Sequence, residues 1–183
     1  MRIIGGTAKG HAIKTPKGLD TRPTLDRVRE SVFNVLANRG IFGSDVLDIF
    51  SGTGAVAIEA LSRGAAHAVA VDFKTGKLIL ENAKHCRVDD RLEIIPRKLS
   101  QLKNYMVGRQ FDYIFSDPPY ESGFIQDTID LVTTYDLLKP EGVLLLEHHK
   151  DEVFALPESW ECIKEQKFGY TMVSYFVNIA ERS

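Results

Sequence analysis

The sequence predicts an α/β fold in which a mostly parallel sheet carries helices on both faces. After Gly40, short apolar segments of strand length alternate with segments of helical periodicity. One apolar segment, 45–50, leads directly into a glycine-rich loop and a helical segment, the local order that opens a doubly wound nucleotide-binding fold. Near the end of the chain, two strand-like segments flank Phe168-Gly169-Tyr170-Thr171 and predict an antiparallel hairpin.

The predicted elements begin with a hairpin, because strand-like segments 2–4 and 11–14 surround glycine turns. A helix over 25–38 follows, with Thr24 as its N-cap. Its core-facing positions are Val28, Val32, Val35 and Leu36. The remaining strands are expected near 45–50, 67–72, 92–96, 111–116, 142–147, 161–167 and 172–179. The intervening helices are expected near 55–63, 75–87, 98–106 and 122–136, and a turn is expected over 139–142.

The length of 183 residues fits one domain, with a basic hairpin extension over 1–20 and a core over 21–183. No apolar stretch approaches the roughly 20 residues of a membrane span. The first residues lack the apolar segment of a signal peptide, so we expect a cytoplasmic protein. Cys86 and Cys162 are too few for a disulfide framework and indicate reduced thiols.

The charge of the chain is unevenly distributed. Residues 1–40 hold eight Lys and Arg residues against three acidic ones, a net charge of +5, whereas the remainder has a net charge of −7. A basic N-terminal segment favours contact with phosphates, although a solvated lysine-rich hairpin would show the same pattern. The candidate residues for contact with nucleic-acid phosphates are Arg2, Lys9, His11, Lys14, Lys17 and Arg22.

The glycine-rich loop Ser51-Gly52-Thr53-Gly54 joins a buried strand to a helix. Glycines there let the backbone turn tightly and approach a ligand closely. The loop lacks the third glycine of a dinucleotide fingerprint and the Gly-Lys-Ser/Thr ending of a phosphate-binding loop. Asp72 ends the next strand, where its carboxylate can accept both hydroxyls of a ribose. Together these features predict a nucleoside ligand without an essential pyrophosphate.

Asp117-Pro118-Pro119-Tyr120 follows the strand-like segment 111–116. Proline fixes φ and cannot donate a backbone hydrogen bond, so the two prolines stiffen the turn. They leave the Asp117 carboxylate and the Pro118 carbonyl as acceptors, which suit an amino group. The ring of Tyr120 offers a face on which a base could stack. This turn therefore predicts chemistry on the exocyclic amino group of a nucleobase.

A metal centre is not predicted. His148 and His149 are adjacent, but neighbouring side chains on a strand point to opposite faces. No set of Cys, His or Asp residues at metal-ligand spacing accompanies them in the sequence.

The ordered motifs resemble one family closely. The pattern D-x-F-x-G-x-G from Asp48 and an acid at the next strand end resemble the S-adenosylmethionine site of class I methyltransferases. Three further motifs, in this order along the chain, resemble the bacterial 16S rRNA guanine-N2 methyltransferases, the RsmD family. They are R-I-I-G-G near the start, R-P-T-x-D-R-V-R-E-x-x-F-N over 22–34, and F-D-Y-I-F-S-D-P-P-Y after the glycine loop. The resemblance covers the chain to about residue 176.

The resemblance implies a Rossmann-like sheet of seven strands and methyl transfer from S-adenosylmethionine to N2 of a guanine in small-subunit rRNA. The implied catalytic residues are Asp117, Pro118, Pro119 and Tyr120. The implied cofactor-binding residues are Thr24, Arg27, Asp48, Ser51, Gly52, Thr53, Gly54 and Asp72. Lys98 stands where many relatives carry an aspartate near the adenine, so the residue that contacts the adenine amino group stays open.

The expected partner is 16S rRNA or an assembling 30S subunit, and the expected state is a monomer. Methylation of adenine N6 in DNA or RNA is the principal alternative, because such enzymes share the Asp-Pro-Pro-Tyr turn. A glutamine methyltransferase would begin that turn with Asn rather than Asp117. A non-catalytic RNA-binding assembly factor that keeps the fold is a third alternative.

Overall fold

A computed structural model describes residues 1–17, 23–120 and 123–180, and the chain divides into two compact units, Met1–Pro96 and Arg97–Ser183. The first unit contains helices α1 (Pro23–Arg39), α2 (Ala55–Ser62) and α3 (Gly76–His85). Its strands are β1 (Asp45–Ile49), β2 (His67–Val71) and β3 (Leu92–Ile95). They lie in the order β3-β2-β1, and both pairs are parallel.

Strands β1 and β2 are buried along nearly their whole length, and apart from Asp45, Asp48 and His67 their residues are apolar, as expected for parallel strands covered on both faces. Parallel pairing brings Asp48 opposite Ala70 and Ile49 opposite Val71. The residues that follow the two strands, including the glycine loop and Asp72, therefore meet at the same edge of the sheet.

The second unit contains helices α4 (Lys103–Met106) and α5 (Phe124–Thr134). Its strands are β4 (Phe111–Ser116), β5 (Leu138–His149), β6 (Trp160–Phe168) and β7 (Thr171–Asn178), in the order β4-β5-β7-β6. The pair β4·β5 is parallel, whereas β7 pairs antiparallel with both β5 and β6. Within the described residues, the seven predicted strands and the C-terminal antiparallel hairpin are confirmed.

Three local predictions were wrong. The helix expected over 98–106 is a 3₁₀ turn, Leu99–Gln101, followed by the single turn of α4. The turn expected over 139–142 lies inside β5 as an irregularity, where the register with β4 jumps from Phe111–Leu138 to Tyr113–Val143. Thr24 is the second residue of α1 and not its N-cap, because the fixed φ of Pro23 already suits the first helical position.

The N-terminal hairpin is present as one antiparallel bridge, Arg2 with Ala12. Its backbone is bound to α2 of the same unit, since the amides of Ile4 and Gly5 donate to the Glu59 carboxylate at 2.9 and 2.8 Å. Glu59 is fully buried and also pairs with Arg29 and Arg63. The hairpin is therefore part of the packed first unit, although its basic side chains reach solvent.

Candidate active site

The glycine loop of the first unit has a strongly constrained backbone. Phe50, Gly52 and Gly54 have φ angles of 60°, 59° and 82°, the left-handed region that favours glycine. A Cβ on Gly54 would lie 3.0 Å from Cγ2 of Ile79 on α3. Gly54 is therefore required both for the turn into α2 and for the packing of α3 against the loop.

Asp48 holds the loop from inside. Its buried Oδ2 accepts the Ser51 hydroxyl at 2.6 Å and the amide of Ala57 at 3.3 Å. Asp48 and Ser51 thus bind each other within the protein. We expect them to position the loop rather than to present free polar atoms to a ligand.

Asp72, the residue after β2, binds the glycine loop and the chain that leads into α3. Its Oδ2 accepts the amide of Gly52 at 3.0 Å, and its Oδ1 accepts the amides of Lys74 and Thr75 at 2.9 and 3.2 Å. A carboxylate offers about four lone-pair positions, so acceptor capacity remains for a ligand hydroxyl. The half-buried Asp72 therefore fixes the glycine loop and can still accept a hydrogen bond from a ribose.

The residues of this edge fit the nucleoside part of S-adenosylmethionine. In the described part of the chain, no heavy atom lies within 4 Å of a Cβ built on Gly52, which leaves room beside the loop backbone. Thr75, whose amide is one of the donors to Asp72, has a buried Oγ1 without a hydrogen-bond partner among the described residues. Asp72 and Gly52 offer the acceptor and the space that a ribose requires.

The Asp-Pro-Pro-Tyr turn lies in the second unit, directly after β4. Asp117, Pro119 and Tyr120 are exposed, whereas Pro118 is buried. The Tyr120 hydroxyl lies 3.0 Å from Thr171 Oγ1 at the start of β7. This bond orients the Tyr120 ring while leaving 69% of the residue exposed to solvent.

Glu147 is a neighbour of Asp117 that the sequence analysis did not identify. Ser116 of β4 pairs with Leu146 of β5 in parallel register, so Asp117 and Glu147 are the next residues along two adjacent strands. The signal was present, since Glu147 ends an apolar run. Recognising it required the pairing of β4 with β5, which connects residues 30 positions apart.

The two carboxyl groups have raised pKa values. Asp117 is accessible to solvent, but protein surrounds its carboxyl group closely enough that desolvation raises its pKa to about 6. Desolvation, followed by the charge of Asp117, raises the pKa of Glu147 to about 8. At neutral pH the pair therefore holds one proton and presents one negative charge.

His148 and His149 point to opposite faces, as predicted. His148 is buried, and its Nε2 lies 2.8 Å from the Ser174 hydroxyl. His149 is half-exposed, and its Nδ1 lies 3.8 Å from the Asp151 carboxylate. Across residues 1–17, 23–120 and 123–180, no group of three or more His, Cys, Asp or Glu residues could hold a metal ion.

The N-terminal basic residues fall into two groups. Arg2, Lys9 and Lys17 are exposed, as is Lys14, whose Nζ lies 3.2 Å from the Glu81 carboxylate. His11 is half-buried, with Nδ1 2.8 Å from the carbonyl oxygen of Ala8. Arg29 is buried against Asp26 and Glu59, so its charge does not contribute to the basic surface.

Four further positions were singled out in the sequence: Arg22, Thr24, Arg27 and Lys98. Arg22 and the side chain of Thr24 lie outside the described residues, and Arg27 is exposed on α1. Lys98 is exposed, and its amide donates to Oε1 of Gln101. In the helical part of the chain that the structure describes, no segment has the length and apolar character to cross a membrane.

The chain matches the family described as conserved hypothetical protein 95 over residues 1–177. It is 32% identical over 183 residues to YlbH of Bacillus subtilis, covering 96% of this chain and 98% of that protein. It is also 32% identical over 179 residues to ribosomal RNA small subunit methyltransferase D of Haemophilus influenzae, covering 96% of this chain and 91% of that protein.

Solved structures agree with the predicted fold. The structure of yhhF from Escherichia coli has a TM-score of 0.87 and 29% identity, and the match covers 99% of both chains. SMU.776, solved in complex with SAH, has a TM-score of 0.64 at 17% identity and covers 81% of this chain and 48% of that chain. The second likeness shows the fold alone, and together the two confirm the Rossmann-like α/β class.

Proposed function

This chain belongs to the family described as conserved hypothetical protein 95, the RsmD family that its motifs resemble, and from that premise we propose that it is an S-adenosylmethionine-dependent rRNA methyltransferase. Its target is the exocyclic N2 amino group of one guanine in 16S rRNA. Relatives named ribosomal RNA small subunit methyltransferase D support the rRNA substrate. The guanine N2 assignment is supported by the chemistry of the Asp-Pro-Pro-Tyr turn.

The observation that carries this proposal is the position of Asp117 at the end of β4, a solvent-accessible residue with a desolvated carboxyl group, followed by two prolines and an exposed tyrosine. An ionised carboxylate only accepts hydrogen bonds, so it selects a donor such as an amino group. Guanine presents two adjacent donors, N1–H and N2–H, to one carboxylate. Adenine presents an acceptor at N1, so the same carboxylate favours guanine when it reads the base along that edge.

Each group of residues has a distinct task in the reaction. Gly52, Gly54 and Asp72 hold the nucleoside of the cofactor, and Asp48 with Ser51 keeps the loop in shape. When bound, S-adenosylmethionine supplies an electrophilic methyl group whose carbon–sulfur electron pair stays on sulfur. These first-unit residues therefore determine where the methyl donor is held.

Asp117 acts on the amino group that receives the methyl. Accepting an N2–H bond holds the nitrogen lone pair in one direction, and the carboxylate stabilises the positive charge that develops on nitrogen. The nitrogen loses one proton, either to Asp117 or through it to water. Tyr120 stacks on the extruded base and offsets part of the cost of unstacking it, which is a few kcal/mol.

The proposal is tested by transfer of tritium from labelled S-adenosylmethionine into RNA, DNA and protein substrates. We expect label in 16S rRNA or in 30S subunits, and we expect digestion to nucleosides to yield N2-methylguanosine. Recovery of N6-methyladenosine would establish the adenine alternative. Cofactor binding without transfer to any substrate would favour the non-catalytic assembly factor.

A further inference from the structure

We propose that Tyr170, stacked on His149, forms a second base-binding site that holds an unpaired nucleotide of the RNA flanking the target. This inference rests on the proposed rRNA substrate. In this proposal the turn between β6 and β7 contacts the base of the nucleotide and not its phosphate.

The backbone of Tyr170 is fixed at the tip of the hairpin. It follows Gly169, whose φ of 64° makes the tight turn between β6 and β7, and Phe168 pairs with Thr171 across that turn. The Tyr170 carbonyl accepts the amide of Lys150 at 2.8 Å. A pre-ordered tyrosine loses little conformational entropy when it binds a flat ligand.

The rings form a short stack that stays open to solvent. The centroids of His149 and Tyr170 are 5.9 Å apart, and their planes differ by 7°. Tyr170 is nevertheless 72% exposed. Large aromatic side chains at this level of exposure contribute little to the core, whereas exposed stacked rings are the usual platform for single-stranded nucleic acid.

The stack is continuous with the Asp-Pro-Pro-Tyr turn. The Tyr120 ring meets His149 edge-on, with centroids 6.3 Å apart, and the Tyr120 hydroxyl bonds to Thr171, the residue after Tyr170. A strand whose target base stacks on Tyr120 would therefore bring a nearby nucleotide to Tyr170. The expected occupant is one base of an unpaired segment.

The local charges indicate stacking rather than phosphate binding. Lys150 Nζ lies 5.9 Å from the Tyr170 centroid, but it also lies 3.0 Å from the Asp151 carboxylate. Asp151 is near His149 as well. The positive charge at this site is largely compensated, so binding there should depend weakly on salt.

The test measures affinity separately from catalysis. Filter binding of radiolabelled, deproteinised 16S rRNA gives the dissociation constant over a range of salt concentrations for the wild type, Tyr170→Ala and Tyr170→Phe. We expect Tyr170→Ala to weaken binding by roughly 5- to 150-fold, the range for loss of one stacked base, with the salt slope unchanged. Tyr170→Phe keeps the ring and should stay within about two-fold of the wild type.

Phe42→Ala is the matched control, because Phe42 is 85% exposed and precedes β1, at the opposite end of that strand from the glycine loop. It should bind RNA like the wild type, and both alanine variants should keep their S-adenosylmethionine affinity and melting temperature.

Two results would overturn the inference. The first is unchanged rRNA affinity in Tyr170→Ala; if affinity for 30S subunits falls in a parallel filter assay, the site is assigned to a ribosomal protein. The second is no rRNA binding by the wild type. If the wild type transfers no methyl group to RNA but Tyr170→Ala still weakens RNA binding, the function proposal fails and the stacking site stands.

Discussion

Asp117 and Glu147 occupy adjacent positions just beyond the paired residues Ser116 and Leu146, and the charge of Asp117 raises the pKa of Glu147. The parallel pairing of β4 and β5 thus places the two carboxyl groups side by side at the carboxyl end of β4. Like charges this close do not both ionise easily at neutral pH. The pair then shares one proton and presents one negative charge as a hydrogen-bond acceptor.

Replacing Asp117 should separate binding from chemistry. We expect Asp117→Ala to bind S-adenosylmethionine within a few-fold of the wild type, because the cofactor contacts assigned above belong to the glycine loop and Asp72. Methylation should fall by about 100-fold or more, since the positioning and charge stabilisation of the amino group are lost. Calorimetric titration and tritium transfer measure the two quantities, and near-normal turnover would contradict the assignment.

The wild-type pH profile should report the ionisation of Asp117. Its pKa is raised to about 6, so kcat should fall about ten-fold per pH unit below that value and be nearly flat from pH 7 to 8. Single-turnover rates from pH 5 to 8 with saturating rRNA measure the profile. A rate that stays constant down to pH 5 would exclude a required carboxylate with this pKa.

Glu147 should make the protein less stable as pH rises. Its folded-state pKa of about 8 lies above its ordinary value, so between roughly pH 4.5 and 8 the folded state binds more protons than the unfolded state. Stability is therefore lost as pH increases through that window. We expect Glu147→Gln to remove much of this loss and to raise the melting temperature relative to the wild type at pH 9 more than at pH 5.

Glu165→Gln is the control for this comparison, because Glu165 is exposed on β6. Its melting temperature should differ from that of the wild type by a similar amount at both pH values. An equal shift in Glu147→Gln and Glu165→Gln would show that burial of Glu147 has no energetic effect.

Gly54→Ala should destabilise the first unit more than a glycine substitution whose added Cβ meets open space. The alanine would have to adopt the left-handed backbone conformation of Gly54. Its methyl group would lie 3.0 Å from Ile79 Cγ2 and 3.3 Å from Ile58 Cδ1. We expect a loss of about 2–4 kcal/mol in the free energy of unfolding, together with weakened cofactor binding. Urea denaturation measures the first effect, and calorimetric titration the second.

Gly43→Ala provides the comparison, because Gly43 has a φ of 74° but no described heavy atom within 4 Å of the added Cβ. It carries the conformational cost alone, about 1–2 kcal/mol. Equal losses in the two variants would mean that α3 moves to accommodate the methyl group.

The basic hairpin should contribute to RNA binding through phosphates. Lys9 and Lys17 are exposed, so Lys9→Gln with Lys17→Gln should make the slope of log K against log salt shallower by about 1.4 to 1.8. Lys84→Gln with Lys103→Gln replaces two exposed lysines elsewhere and should leave the slope unchanged. An identical slope in both double variants would show that the hairpin lysines do not meet the RNA.

The fold class and the two principal motifs could be predicted from the sequence because their signals are local. The glycine loop is predicted from consecutive residues that include Gly52 and Gly54, and the strand before Asp117 is predicted from a mostly apolar run. The continuous helix predicted over 98–106 is instead a 3₁₀ turn followed by one α-helical turn, because packing rather than propensity decides the structure of short segments. The turn at 139–142 has the composition of a chain reversal, but the flanking residues Leu138 and Val143 both pair with β4.

The sequence by itself determined the order of strands and helices, the constrained loop after β1 and the acidic turn after β4, since each depends on backbone preferences of consecutive residues. Only the tertiary structure decided that Glu147 accompanies Asp117, that Tyr170 stacks on His149, and that Glu59 binds the hairpin backbone. Those contacts join residues 21 to 55 positions apart, and strand register and helix docking bring such residues together.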